Sequence, residues 1–174
     1  MIAQAMAIQE PERILSLTSV MSSPGPIPAR DPDVLAAFSA PAGNTRDEAA
    51  ERHLAGLRIW GSPASFDVAR ITEDAHAAFD RSWDPEGRAR QAKAVAASPS
   101  RVEALAELRV PTLVVHGDAD RLVPPSAGEA TAEAIPGARL EIVEGMGHDY
   151  PPQHWARLVD LIATAAAAAT ATGA

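Results

Sequence analysis

The distribution of apolar and polar residues divides the chain into three stretches. Residues Ile2 to Gln9 are alanine-rich and apolar on most faces, which predicts a buried helix ending before Pro11. Ile14 to Val20 (ILSLTSV) alternates apolar and small polar residues and predicts a strand. The run Ser22-Ser23-Pro24-Gly25-Pro26-Ile27-Pro28 reads as a loop.

From Asp31 to Leu108 the pattern is helical throughout. Asp31 is placed to cap a helix with Pro32 at its first position and Val34, Leu35 and Phe38 along it. A second helix starts after Thr45, with Asp47, Glu48 and Glu51 near its positive end and His53, Leu54, Leu57 and Trp60 at helical spacing. Further helices are expected over Phe66 to Ser82, Pro85 to Ala97 and Val102 to Leu108. At Val110 the pattern changes. Thr112-Leu113-Val114-Val115-His116-Gly117 is a nearly continuous apolar run, as in a strand covered on both faces. A helix from Pro124-Pro125-Ser126 to Ala134 and an alternating strand from Ala138 to Glu144 follow. Trp155 to Ala163 predicts a last amphipathic helix with Trp155, Leu158, Val159 and Ile162 on its inner stripe. The tail from Ala163 to Ala174 reads as a fraying helix end.

Strand and helix in alternation imply parallel pairing with right-handed crossovers. The fold class expected is therefore α/β, with three parallel strands, flanking helices and a helical insertion between the first strand and the second. Three strands make a small parallel sheet, so its first strand is expected to leave an apolar edge open to self-association or to a complementing chain.

Composition removes several function classes. The net charge is −8, which disfavours nucleic acid and anionic membrane as partners. Without cysteine there are no disulfides and no thiolate metal sites. The sequence shows neither a secretory leader pattern nor an apolar run long enough to span a bilayer, so the expected location is the cytoplasm. Lys93 is the sole lysine against fourteen arginines, best read as coding bias.

Two segments carry candidate chemistry. His116-Gly117-Asp118-Ala119-Asp120-Arg121-Leu122-Val123-Pro124 places two carboxylates just past the C-terminal end of a buried strand, where open parallel sheets bind ligands. Glu144-Gly145-Met146-Gly147-His148-Asp149 places a histidine past the next strand end. Adjacent parallel strands would then present Asp120 and His148 to each other. A carboxylate beside an imidazole fixes its tautomer and stabilises the imidazolium formed on accepting a proton. The bland reading of the same residues is a solvated loop carboxylate and a structural histidine. His116 reads as a strand-end residue that packs or caps the turn, and His53 and His76 as surface positions of the helical stretch. A metal site built from His116, Asp118, Asp120, His148 and Asp149 is the weaker alternative, and no cofactor is expected.

HGDADRLVP followed by GMGH is similar to the acid and histidine motifs of the α/β-hydrolase family, whose catalytic order is Ser, then Asp or Glu, then His. The opening MIAQAMAIQEPERILSLTSVMSSPG resembles the segment directly after that family's nucleophile elbow. The MSSPG and SWDPEGRARQ stretches resemble the aclacinomycin methylesterase type within the family. The resemblance implies a partial α/β-hydrolase core in residues 1–30 and 109–174 and a helical cap in residues 31–108. It implies Asp120 as triad acid and His148 as base, with Asp118 a neighbour. The serine, the oxyanion-hole loop and the earlier strands would lie before Met1, and no Gly-x-Ser-x-Gly occurs in the 174 residues. The expected activity is hydrolysis of a carboxylic ester or similar small molecule, with the chain inactive by itself. The alternative is a truncated, non-catalytic remnant or an interaction and complementation module. Met21, Trp60, Trp83 and Met146, with Phe66 and Phe79, are candidate substrate contacts, although core packing explains the aromatic residues at least as well.

Overall fold

The computed structural model describes residues 1–26 and 31–172, with side chains through Ala169. Ile27 and Pro28 of the expected loop lie outside the described residues. Helix α1 (Ile2–Gln9) leads through a 3₁₀ turn (Pro11–Arg13) to strand β1 (Leu17–Val20). Helices α2 (Pro32–Ser39), α3 (Arg46–Trp60), α4 (Val68–Arg81), α5 (Pro85–Ala97) and α6 (Val102–Ala106) follow. The chain ends with β2 (Thr112–Gly117), α7 (Pro125–Ala134), β3 (Arg139–Val143) and α8 (Pro152–Thr172).

The three strands form one parallel sheet in the order β1-β2-β3. Leu17 pairs with Thr112 and Val20 with Val115, while Leu113 pairs with Arg139 and Gly117 with Val143. β2 is the middle strand and every residue in it is buried. That explains its unbroken apolar run, because a parallel strand between two helix layers has no solvated face. Its side chains alternate. Leu113 and Val115 join Met21, Val143, Met146 and Leu158 in one cluster, onto which Leu161 and Ala165 of α8 pack. A second cluster holds Ala7, Leu17, Leu105, Leu108, Val110 and Ile135, from α1, β1, the α6 region and the end of α7. β3 is an edge strand, with Arg139 and Glu141 tied by their side chains at 3.6 Å.

The helical stretch is held together by its caps and its own packing. Asp31 caps α2 by accepting from Asp33 N at 2.9 Å. Thr45 and Glu48 form a capping box at the start of α3, each side chain accepting from the other's backbone N–H. Asp67 and Asp84 cap α4 and α5 by accepting from Arg70 N and Gly87 N. α3 packs along α4 and against α2. α5 buries none of its residues.

Four expectations change. α1 is not buried all round, since Ile2 and Met6 are 70% and 53% exposed and only Gln4 and Ala7 are buried. The first strand is shorter than the ILSLTSV pattern, because the 3₁₀ turn takes Pro11–Arg13 and Ile14 serves as its C-cap. α8 spans Pro152–Thr172, longer at both ends than the expected Trp155 to Ala163, as the high helix propensity of alanine permits. Its inner face is also different from the expected stripe. Leu158, Leu161 and Ala165 turn inward, and Trp155, Val159 and Ile162 stay exposed. Alanines beyond Leu161 carry that face, and they look the same on every side of a helical wheel.

Candidate functional site

Asp120 and His148 stand at the C-terminal ends of β2 and β3. The turn after β2 requires Gly117, where a Cβ would come within 1.9 Å of the Met146 carbonyl oxygen. The β2 loop and the β3 loop therefore touch backbone to backbone. Asp118 reinforces that contact by accepting from Gly145 N at 2.7 Å, with Gly145 in the left-handed region at φ +71°. Ala119 N donates to the Met146 carbonyl at 3.1 Å.

On this platform His148 Nδ1 lies 2.7 Å from Asp120 Oδ2. The other oxygen, Oδ1, accepts from Leu122 N at 2.9 Å and Val123 N at 2.8 Å. The Asp120 side chain is wholly buried, whereas the His148 imidazole keeps 28% of its surface. A buried carboxylate thus anchors a ring whose outer edge meets solvent. Burial pushes the Asp120 carboxyl up, but hydrogen bonds from His116 and His148, the charge of His148 and the Val123 N–H together hold it below its ordinary value. The carboxylate is ionised at neutral pH, so the nitrogen facing it, Nδ1, carries the proton. Nε2 is then left with its lone pair, the form that accepts a proton. Among the described residues no hydroxyl is hydrogen-bonded to Nε2.

His116 is fully buried under this pair. Its Nε2 lies 2.9 Å from the Val123 carbonyl oxygen and 3.5 Å from Asp120 Oδ2. A carbonyl only accepts, so Nε2 donates, with the shorter bond to Val123 and a weaker share to the carboxylate. Nδ1 of His116 faces Gly128, where a Cβ would stand 2.5 Å from it. His116 therefore packs at the strand end and caps the turn that carries Asp120, as expected of it.

The remaining candidates are dispersed. Met21 and Met146 are 6% and 0% exposed and belong to the core cluster under the sheet. Met21 turns the chain out of β1 with φ 45°, an unusual conformation for a side-chain-bearing residue. Trp60 packs on Phe38 with ring centroids 5.7 Å apart, and it meets the site through its backbone, since His148 N donates to its carbonyl at 2.6 Å. Trp83, 37% exposed, stacks on Phe79 at 4.9 Å. Phe66 lies under the Arg58 guanidinium at 5.0 Å. His76 pairs with Asp47 on the helical stretch at 3.0 Å.

A cleft of about 340 Å³ adjoins the acid loop, lined by Leu57, Ile59, Ser62, Phe66, Ala119 and Arg121 among others. A larger surface depression, about 560 Å³, lies between Ala37 and Ala55, and neither it nor the smaller cleft is lined by Asp120 or His148. The smaller cleft meets the acid loop at Ala119 and Arg121, the neighbours of Asp120. Arg121 closes one side of it and is held there by the carboxylates of Asp31 and Asp33. Among the described residues no three His, Asp or Glu side chains converge as metal ligands, and no helix is long and apolar enough to cross a membrane.

Ser62 was not marked by the sequence pattern, and Asp149 only as a member of the weaker metal alternative, yet the two meet at the histidine loop. Ser62 Oγ lies 2.5 Å from Asp149 Oδ1 and 2.9 Å from Gly147 N. The partners are 85 to 87 positions apart, so no local spacing announces them. The one available signal was Gly147 itself.

Comparison with known proteins gives a consistent picture. A family model described as alpha/beta hydrolase fold matches residues 1–153. A pimeloyl-[acyl-carrier protein] methyl ester esterase of Aeromonas hydrophila subsp. hydrophila is 28% identical, over 93% of this chain and 65% of that protein. A non-heme chloroperoxidase of Kitasatospora aureofaciens is 49% identical over 47 residues, which is 26% of this chain and 17% of the relative. Among solved structures, a meta-cleavage product hydrolase from Pseudomonas fluorescens IP01 superposes with a TM-score of 0.70 at 21% identity, covering 94% of this chain and 60% of that one. An esterase from Rhodococcus sp. ECU1013 gives 0.70 at 19% identity, covering 95% and 60%. The chain spans less than two thirds of the length of these relatives.

Proposed function

The chain belongs to the alpha/beta hydrolase fold family, and from that premise we propose that it supplies the acid and base of a serine hydrolase acting on a carboxylic ester or similar small substrate. The observation that carries this reading is the 2.7 Å contact between His148 Nδ1 and the buried Asp120 carboxylate. In the proposed reaction His148 Nε2 takes the proton of a serine hydroxyl as it attacks the ester carbonyl. Asp120 stabilises the imidazolium, and the same proton then goes to the departing alkoxide. Water repeats the sequence to release the acid. Asp120 stays ionised throughout, for which its lowered proton affinity is suited.

These 174 residues hold no Gly-x-Ser-x-Gly. The nucleophile and the oxyanion donors of the proposed reaction therefore come from polypeptide outside them. β1 is hydrogen-bonded to β2 on one side, and Ile2, Met6 and Leu15 nearby are exposed. We assign that edge to the complementing polypeptide, whether part of the same protein or a separate chain. Residues 31–108 serve as a cap in this reading, with the cleft between Leu57 and Arg121 as the substrate approach. The methyl ester esterase relative favours an ester over the other substrates that one fold can host.

The second reading, a non-catalytic remnant or interaction module, draws on the same lack of an elbow motif. The two separate in one assay. The chain is mixed with a polypeptide carrying a family elbow, and p-nitrophenyl acetate hydrolysis is followed. Expected is turnover that needs both parts and disappears with His148→Ala, a loss on the order of 10⁶-fold by comparison with other serine hydrolases. Hydrolysis that survives His148→Ala, or no hydrolysis from a complex shown to form, refutes the catalytic reading.

A further inference from the structure

His148 stands on an irregular loop after β3, between glycines at 145 and 147 and a proline at 151. Such a loop does not by itself hold a ring in one place. Three consecutive residues of it are tied to the end of α3. Gly147 N donates to Ser62 Oγ at 2.9 Å. His148 N donates to the Trp60 carbonyl at 2.6 Å. Asp149 Oδ1 accepts from Ser62 N at 2.9 Å and from Ser62 Oγ at 2.5 Å. Ser62 is 2% exposed, and its hydroxyl is used as acceptor from one side of the histidine and as donor to the other. The approach is close enough to exclude any side chain at position 147, where a Cβ would fall 2.3 Å from the Gly61 carbonyl carbon and 2.5 Å from the Trp60 oxygen.

We infer that Ser62 and Asp149 are positioning residues for His148: their hydrogen-bonded latch fixes the loop so that Nδ1 faces Asp120, and it couples the seat of the base to the end of α3. The inference rests on the reading of His148 and Asp120 as base and acid. Neither latch residue is hydrogen-bonded to the imidazole, and neither exchanges a proton with substrate. Their effect is on the geometry of the backbone at 147–149. Consecutive bonds through one hydroxyl polarise each other, and Asp149 supplies the charged end, which strengthens the bond it accepts. Because Trp60 ends α3 and Gly61 and Ser62 follow directly on it, a shift of that helix moves the loop on both sides of the base.

The test uses the 174-residue chain with ¹⁵N-labelled histidine and reads the water exchange of the His148 Nδ1 proton. In Ser62→Ala and Asp149→Ala the exchange is expected to rise about tenfold, the factor matching the net contribution of one hydrogen bond. Asp149→Asn keeps an oxygen that accepts both Ser62 bonds and is expected to restore slow exchange. Thr131→Val removes a buried hydroxyl bond in α7, remote from the latch, and is expected to leave the proton unchanged. Should Ser62→Ala fail to fold, Asp149→Ala carries the measurement, since that side chain is partly exposed. Unchanged exchange in the latch variants, or equal acceleration in Thr131→Val, overturns the latch alone. No hydrogen-bonded Nδ1 proton in the unsubstituted chain overturns the acid–base pair and the latch with it.

Discussion

Replacing Asp120 by alanine and by asparagine separates its two jobs. Its carboxylate accepts three bonds of 2.7 to 2.9 Å, from His148 Nδ1, Leu122 N and Val123 N. Bonds to a charged acceptor contribute about 1.5–3 kcal/mol each. The low end applies here, because the buried carboxylate also bears a desolvation cost. Asp120→Ala removes all three and leaves the Val123 N–H buried without an acceptor, for a loss of about 4 kcal/mol. Asp120→Asn keeps Oδ1 for the two backbone donors at about half strength, but its NH2 cannot accept from Nδ1–H, so the third bond goes, for a loss of about 3 kcal/mol. With a urea dependence of about 2 kcal/mol per molar, the alanine midpoint should lie about 0.5 M below that of asparagine. Tryptophan fluorescence at pH 7 reads both. The folded carboxyl is held below 3.8, so its contribution is complete above pH 3.8 and is lost as the pH falls through the folded value. The gap between the unsubstituted chain and Asp120→Asn should therefore close in that acid range. Coincident midpoints for the two variants, or a gap that persists through the acid range, would refute the description of Asp120 as an ionised acceptor shared by the loop and the histidine.

Gly147→Ala is expected to cost about 1–3 kcal/mol, the usual penalty of overpacking, because its Cβ meets the Trp60–Gly61 backbone; urea denaturation checks it, and a neutral result would mean the loops do not touch. Arg101, 9% exposed, holds Gln4 Oε1 at 3.0 Å and the Ser23 carbonyl at 2.8 Å. Arg101→Met leaves both buried acceptors unpaired and should cost about 3 kcal/mol, a fall of about 10 °C in Tm by calorimetry.

The framework was largely legible because its signals are local. Proline and acidic caps start α2 and α5, and the β2 run, apolar on every position, reports burial on both faces. The stretches where the reading failed lacked such contrast. In α8 the inward residues after Leu161 are alanines among alanines. In α1 apolar residues face outward as well as inward, so the sequence could not say which face is covered.

The sequence alone determined an α/β chain with three parallel strands, and it placed Asp120 and His148 at the ends of neighbouring strands. It could do so because strand periodicity and the glycine turns depend on residues close together in the chain. Tertiary structure decided the rest. It set the 2.7 Å contact, chose Nδ1 as the proton-bearing nitrogen through the buried carboxylate, and put His116 beneath Asp120. It also brought Ser62 to Asp149 across 87 positions. Contacts between distant segments follow from how helices and sheet pack, and packing is a property of the whole fold that no local pattern encodes.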